Sequence, residues 1–320
     1  MRTREMSRLL WLTTKLTAVQ RAVLLARIQL VDERAQADAV IQRRRSVEPT
    51  CPKCSSVRVV RNGQADGLQR YKCRSCCVTF NALTGTPLAR LRYRERWLRQ
   101  CAVLQDGLSV RKAAAQLDVH RTTAFRWRHR FLQCPAAIKD QAMRGVVEAD
   151  ETYILESFKG QCRAIARVAR PSRTRGGKAR KRGLSGEQIP VLVLRARTGQ
   201  AADFVLPATP DKAAVSEVMA RALGDDVVLC TDGSGLLASV ARALDIEHQP
   251  VNASRGQRVR GAWHVQNVNA YQSRLKLWLR RFKGVATSYL EIYLGWFRAL
   301  DRQRPKERQP AWLLALAVGD

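Results

Sequence analysis

Two aspartates lie in or directly after apolar, strand-like segments of the sequence. Asp150 lies within the strand-like segment 146–154, and Asp232 follows the short apolar segment 227–230 and precedes Gly233. A carboxylate inside an apolar strand is costly unless it is paired or binds a metal. If the two strands are neighbours, both carboxylates can converge on the pair of Mg²⁺ ions that phosphodiester chemistry uses. The sequence therefore predicts a two-metal site.

A helix pattern further along the chain offers a third ligand. Asn269, Ser273 and Lys276 are spaced i, i+4 and i+7 within the segment 268–278, which places them on one helical face. An amide oxygen can bind a hard cation, although it lacks the charge of a carboxylate. Asn269 is therefore a candidate ligand, and Lys276 could contact a phosphate.

Four cysteines have the spacing of a zinc site. Cys51 and Cys54 form one C-x-x-C pair, and Cys73 and Cys76 form a second pair after eighteen intervening residues. Two such pairs can close a tetrahedron of thiolates around Zn²⁺ and leave no open coordination position. We expect a structural zinc ion here, with the neighbouring Cys77 as a spare cysteine.

The segment that follows has the pattern of a helix-turn-helix. Ser109 can cap a first helix, 118–120 forms the turn, and 122–132 forms a second helix. In such a module the second helix enters the major groove of DNA. The candidate DNA contacts are Arg121, Thr122, Arg126, Arg128 and Arg130. An ordinary helical hairpin is the alternative.

The charge of the chain favours a nucleic-acid partner. In 320 residues, 57 Lys and Arg stand against 27 Asp and Glu, which gives a formal net charge of +30. The most apolar N-terminal stretch, 9–30, is broken by Lys15, Arg21 and Arg27, so we expect no membrane span and no signal peptide. Two C-x-x-C pairs without an export signal indicate the reduced cytoplasm.

Composition divides the chain into four segments. Residues 1–47 have helical spacing, 48–87 form the cysteine module, and 88–140 form the helix-turn-helix. Strand and helix patterns alternate in 145–320, which predicts an α/β domain with a mixed sheet flanked by helices. A basic segment, 167–182, has the composition of a solvated loop, and it is a candidate DNA contact.

From Cys51 to Trp296 the chain resembles bacterial insertion-sequence transposases that join a zinc ribbon to an RNase H-like catalytic domain of the ISXO type. The landmarks are the two cysteine pairs with Phe80, Thr84-Gly85-Thr86-Pro87, the helix around Trp97, the segment 109–127, Ala149-Asp150-Glu151-Thr152-Tyr153, Thr231-Asp232-Gly233, and 264–276 with His264, Asn267, Asn269, Tyr271, Ser273 and Lys276. Each landmark alone is weak, whereas their order and spacing together are specific.

The resemblance implies roles for individual residues. In this family the aspartates that match Asp150 and Asp232 bind the catalytic Mg²⁺ (or Mn²⁺), and Asn269 with Lys276 fits a variant in which Asn replaces the commoner Glu. His264 and Ser273 are then neighbours of the site. Glu291 is a possible substitute ligand, but its position in the motif does not match.

The resemblance also implies an activity. The protein would bind the terminal inverted repeats of an insertion sequence, cleave phosphodiester bonds at its ends, and transfer the 3′-hydroxyl ends to double-stranded target DNA. It would act as a homodimer or higher oligomer, associated with the bacterial nucleoid in the cytoplasm. Three alternatives remain: a DNA-binding regulator with an inactive core, a plain RNase H-like nuclease, and a decayed relic.

Overall fold

A computed structural model describes residues 3–45, 49–161, 179, 185–252, 256, 258–303 and 308–319. The chain divides into two compact units, one of Met1–Phe131 with Gln309–Asp320 and one of Leu132–Arg308. Apart from Ala179, the predicted basic loop at 167–182 lies outside the described residues. No helix in the described ranges is long and apolar enough to cross a membrane.

The first unit contains two long helices, a small sheet and a helical module. Its elements are α1 (Thr3–Lys15), α2 (Ala18–Arg43), β1 (Val59–Ala65), β2 (Leu68–Cys73), β3 (Thr79–Asn81), α3 (Trp97–Gln105), α4 (Val110–Leu117), α5 (Arg121–Ala137, whose last turns belong to the second unit) and α10 (Pro310–Val318). The three strands form an antiparallel sheet in the order β1-β2-β3. Trp97 on α3 packs edge-on against Phe131 on α5, with ring centroids 5.6 Å apart.

The position of α10 corrects one predicted boundary. The sequence patterns extend the last domain to residue 320, whereas α10 packs on α2 and α3 of the first unit. Leu313, Leu314 and Ala317 are buried there. The helices on which α10 packs, α2 and α3, lie about two hundred or more residues earlier in the sequence. Local composition therefore did not indicate that α10 belongs to the first unit.

The second unit is built on one mixed sheet. Its strands β4 (Met143–Leu155), β5 (Gln188–Ala196), β6 (Ala201–Val205), β7 (Leu223–Thr231) and β8 (Glu247–Pro250) lie in the order β6-β5-β4-β7-β8. The pairs β4–β5 and β5–β6 are antiparallel, whereas β4–β7 and β7–β8 are parallel. The helices are α6 (Lys212–Ala222), α7 (Gly235–Ala243), α8 (Gln266–Arg280) and α9 (Leu290–Arg302). This architecture confirms the predicted mixed α/β fold.

A buried ion pair ties α8 and α9 to the sheet. The Arg298 guanidinium on α9 contacts the Asp203 carboxylate on β6, and the Tyr271 hydroxyl on α8 donates to the same carboxylate at 2.9 Å. All three side chains are almost completely buried. Buried charges are stable only when paired and hydrogen-bonded, so this network holds α8 in one position.

Candidate functional site

The sheet brings the two predicted aspartates to neighbouring positions. In the parallel pair β4–β7, Ala149 is paired with Thr231, so Asp150 and Asp232 are the next residues on the two strands. Asp232 lies just past the end of β7 in a turn, where its Oδ1 accepts a hydrogen bond from the Ser234 N–H at 3.0 Å. Gly233 has φ +90°, a conformation that favours glycine. The predicted convergence of the two strands is therefore present.

The two aspartates and Glu151 concentrate negative charge. Burial, followed by the charge of Asp232, raises the pKa of Asp150 to about 6. Burial, followed by the charges of Asp150 and Asp232, raises the pKa of Glu151 to about 7. Groups that are held close together despite mutual repulsion are typical of functional sites, and a divalent cation would relieve this repulsion.

Helix α8 presents one face to Asp150. The Gln272 side-chain amide donates to the Asp150 carboxylate at 3.1 Å and to the Asp150 carbonyl at 3.3 Å. Asn269 lies three residues before Gln272 and Lys276 four residues after it, so the three share a helical face. The Lys276 charge partly offsets the rise in the pKa of Asp150. Gln272 was not predicted, although its spacing from Asn269 and Lys276 was a usable signal.

Ser273 shares the exposed side of α8 with Asn269 and Lys276, whereas Glu291 lies elsewhere. Ser273 is four residues after Asn269 and three before Lys276, and all three are exposed. Glu291 is on α9, and its carboxylate accepts a hydrogen bond from the Lys139 ammonium at 3.3 Å. Glu291 therefore has its own cationic partner, in agreement with the mismatch of its position in the motif.

Glu148 is a second residue that the sequence analysis did not assign. Its side chain is fully buried and accepts hydrogen bonds from the backbone N–H groups of Asn267 at 2.7 Å and Val268 at 3.0 Å, and from the Asn267 amide at 2.6 Å. His264 Nδ1 lies 3.2 Å from the same carboxylate. Glu148 thus connects β4 to the first turn of α8, where backbone N–H groups favour a negative charge.

The four predicted zinc ligands converge in the first unit. The sulfur atoms of Cys51, Cys54, Cys73 and Cys76 lie within 4.8 Å of one another. They are therefore close enough to hold one metal ion. The Cys51–Cys76 and Cys54–Cys73 sulfur distances are 3.5 and 3.6 Å. The pKa of Cys73 is lowered to about 6, mainly because its sulfur accepts a hydrogen bond from the Cys76 backbone N–H. This shift favours the thiolate that Zn²⁺ requires.

The helix-turn-helix forms as predicted, with α4 capped by Ser109, whose hydroxyl accepts from the Lys112 N–H at 3.4 Å. A left-handed Asp118 ends α4. Trp127 on α5 is buried. The module therefore places α5 as the second helix of the motif.

The structure corrects part of the predicted DNA-contact set on α5. Arg121, Thr122 and Arg126 are exposed. Arg128 is only 2% exposed and donates to the Leu108 carbonyl at 2.6 Å. Arg130 is half-buried and donates to the Pro87 and Ala89 carbonyls. The guanidinium groups of Arg128 and Arg130 therefore support the module itself.

Comparison with known proteins gives concordant matches along the chain. The ISXO2-like transposase domain matches residues 142–298, a Homeodomain-like domain matches residues 88–135, and the InsA N-terminal domain, a zinc ribbon, matches residues 45–77. A protein of Halobacterium salinarum named "Uncharacterized protein in transposable element ISH50" is 31% identical over 287 residues, which cover 88% of this chain and 93% of that protein.

Proposed function

This chain belongs to the family of transposases with an ISXO2-like domain, and we propose that it cleaves DNA at the ends of an insertion sequence and joins the freed 3′ ends to target DNA. The observation that carries the proposal is the position of Asp150 within β4, beside Asp232 at the end of the parallel strand β7 and next to the Gln272 face of α8. The mixed sheet flanked by helices fits the RNase H-like core that the resemblance implies.

The residues at this site suit a divalent cation. Asp150, Asp232 and the amide oxygen of Asn269 would hold Mg²⁺ or Mn²⁺, since these are the hard oxygen ligands that such cations prefer. The raised pKa of Asp150 supports this fit, because it reflects a carboxylate that burial and Asp232 leave short of positive charge. When bound, two such ions stabilise both the attacking and the leaving oxygen of a phosphodiester substitution.

Other residues would prepare the site. Gln272 orients the Asp150 carboxylate through the 3.1 Å hydrogen bond. Lys276, on the same face of α8, would contact a phosphate of the bound DNA. Glu148 positions α8 itself by binding its first turn. Correct geometry of this kind contributes strongly to catalysis, because a displacement of about 1 Å can reduce a rate by about 100-fold.

The first unit would recognise the DNA ends. The zinc ribbon, with structural Zn²⁺ on its four cysteines, and the second helix of the helix-turn-helix would bind the terminal inverted repeats. Arg121, Thr122 and Arg126 would supply the contacts of α5, since these residues are exposed. Residues 48–87, 88–140 and 145–308 would then form the ribbon, the DNA-binding module and the catalytic domain.

The decisive experiment uses a labelled duplex that carries the element end and its flanking DNA, with Mg²⁺ or Mn²⁺. We expect cleavage and joined products from the wild type and none from Asp232→Asn, with DNA binding retained. Asp226→Asn is the matched control, because Asp226 is an exposed acid on the same strand, β7. Cleavage that survives in Asp232→Asn would refute the assigned site. Tight binding by the wild type without cleavage in either cation would favour the regulator with an inactive core.

A further inference from the structure

The N-terminal helices carry a large apolar surface that the other described residues leave exposed. None of the side chains from Thr3 to Gln36 is buried, and the first buried residue of α2 is Ala37. We call the segment 3–31 the arm. Its exposed large apolar residues are Met6, Leu9, Leu10, Trp11, Leu12, Val19, Val23, Leu24, Leu25, Ile28 and Val31.

The size of this surface matches that of a protein interface. Full burial of a large aliphatic side chain removes about 60–120 Å² of apolar surface from water, and these eleven are on average about half exposed, so the arm presents roughly 500 Å² of apolar area. A stable interface buries about 800 Å² on each partner, of which about two thirds is apolar in homodimers. The arm alone therefore carries the area that a stable dimer needs.

The apolar residues surround α2 rather than lining one side of it. Val19 and Val23 are one turn apart and form one row, whereas Leu24, Ile28 and Val31 are spaced i, i+4 and i+7 and form a second row. A helix that is apolar on several sides is stable only with partners around it. A flat surface would cover one of these rows, whereas several helices can cover both.

Sequence signals start the second helix of the arm, and a described ion pair holds α2 just beyond it. The Thr17 hydroxyl accepts from the Gln20 N–H at 3.2 Å and the Gln20 side chain accepts from the Thr17 N–H at 2.9 Å, which is a capping box that starts α2. Glu33 forms an ion pair with Arg99 at 2.7 Å, just beyond the arm. The described contacts thus anchor α2 where the apolar surface ends.

We propose that the arm pairs with the arm of a second copy of this chain and forms a two-fold symmetric helical bundle. A second copy supplies the same apolar area, and its α1 and α2 can cover both rows of α2 at once. DNA does not suit this surface. Most protein–DNA hydrogen bonds go to phosphate and sugar, and apolar side chains cannot make them. A membrane surface would bind a helix with one apolar and one basic face. Helix α2 does not fit such a surface, because its apolar residues lie on more than one side.

Sedimentation velocity on the nucleic-acid-free, zinc-loaded full chain at high salt tests the proposal. We expect a concentration-dependent dimer, and we expect Val19→Lys to raise its dissociation constant by at least about 100-fold, since each dimer would bury two lysines in an apolar contact. Val57→Lys is the matched control, because Val19 and Val57 are both 74% exposed. Ile28→Lys should weaken the dimer similarly through the second row.

A second measurement identifies the contact. Chains labelled with ¹⁴N and ¹⁵N are mixed, with a photo-crosslinking residue in place of Trp11, and we expect crosslinks from arm to arm between the two isotopes. A monomer at all concentrations, a dissociation constant that Val19→Lys or Ile28→Lys leaves unchanged, or crosslinks confined to single chains would overturn the proposal. A monomer that binds anionic phospholipid vesicles through the arm would assign the surface to a membrane.

Discussion

Replacing Glu148 by glutamine tests how α8 is positioned. The Glu148 carboxylate is fully buried and accepts three hydrogen bonds from Asn267 and Val268, at 2.6, 2.7 and 3.0 Å. Glutamine has nearly the same shape, but one of its two terminal groups is an NH₂ donor. In Glu148→Gln at least one N–H donor at the start of α8 would therefore face another donor inside the protein.

The expected loss follows from these contacts. A hydrogen bond to a charged group contributes about 1.5–3 kcal/mol, and a buried donor without a partner costs about 1–3 kcal/mol. Because glutamine keeps one acceptor oxygen, we expect Glu148→Gln to lower the free energy of unfolding by about 3 kcal/mol. At about 2–4 °C per kcal/mol for a unit of this size, Tm should fall by about 6–12 °C.

The assay combines thermal unfolding with cleavage of the labelled duplex well below Tm. We expect the cleavage rate per folded molecule to fall by about 100-fold, because α8 carries Gln272 and Lys276, while DNA binding is unchanged. Glu217→Gln is the control, since Glu217 is exposed and pairs only with Arg221 one turn away, a contact worth about 0.5 kcal/mol or less. Equal Tm values for the two variants would refute the energetic reasoning, and an unchanged cleavage rate in folded Glu148→Gln would refute the positioning role.

Three further perturbations have distinct expected outcomes. In Mg²⁺-free buffer with zinc retained, Asp150→Asn should be about 2–3 kcal/mol more stable than the wild type at pH 8 and equally stable at pH 3. The folded-state pKa of Asp150, about 6, exceeds the ordinary aspartate value of 3.8, so the wild type loses stability as the pH rises between these two values. Urea unfolding at pH 3 and pH 8 checks this. Arg126→Ala should weaken DNA binding by about 10-fold and reduce its salt dependence without changing Tm. Arg128→Ala should instead lower the free energy of unfolding by about 2–3 kcal/mol. Equal effects of the two variants on Tm would contradict the assignment of Arg126 to DNA and of Arg128 to the module. Removing zinc with a chelator should unfold the ribbon, since its core holds little beyond Tyr71, Phe80 and the cysteines, and circular dichroism that does not change would rule out a structural ion.

Local pattern was sufficient for some features of the site. The cysteine spacing is a property of two turns, so it predicted the four sulfurs that converge. Asp150 lies inside an apolar strand and Asp232 follows one at a turn, and parallel pairing of β4 with β7 then places them together. These predictions needed only the period of a strand and the position of a turn.

Features that depend on distant partners were missed. Glu148 lies two residues before Asp150, on the same face of β4, but its role requires the first turn of α8, more than a hundred residues later. Arg126 and Arg130 are four residues apart and share a helical face, whereas Arg128, at about 100° per residue, lies on the opposite side. The spacing therefore excluded Arg128 from the face of Arg126, although only the packing of the module shows that Arg130 contacts the Pro87 and Ala89 carbonyls.

The docking of α10 on α2 and α3 imposes an order on events during synthesis. The core of the first unit needs Leu313, Leu314 and Ala317, which the ribosome adds only after the whole second unit. At typical elongation rates of about 5–20 residues per second, the second unit takes roughly ten to thirty seconds to translate. During this interval the growing chain already contains its cysteine ribbon, yet the hydrophobic support of α3 is incomplete. Under the proposed function, the chain would therefore engage DNA stably only after Asp150 and Asp232 have been made.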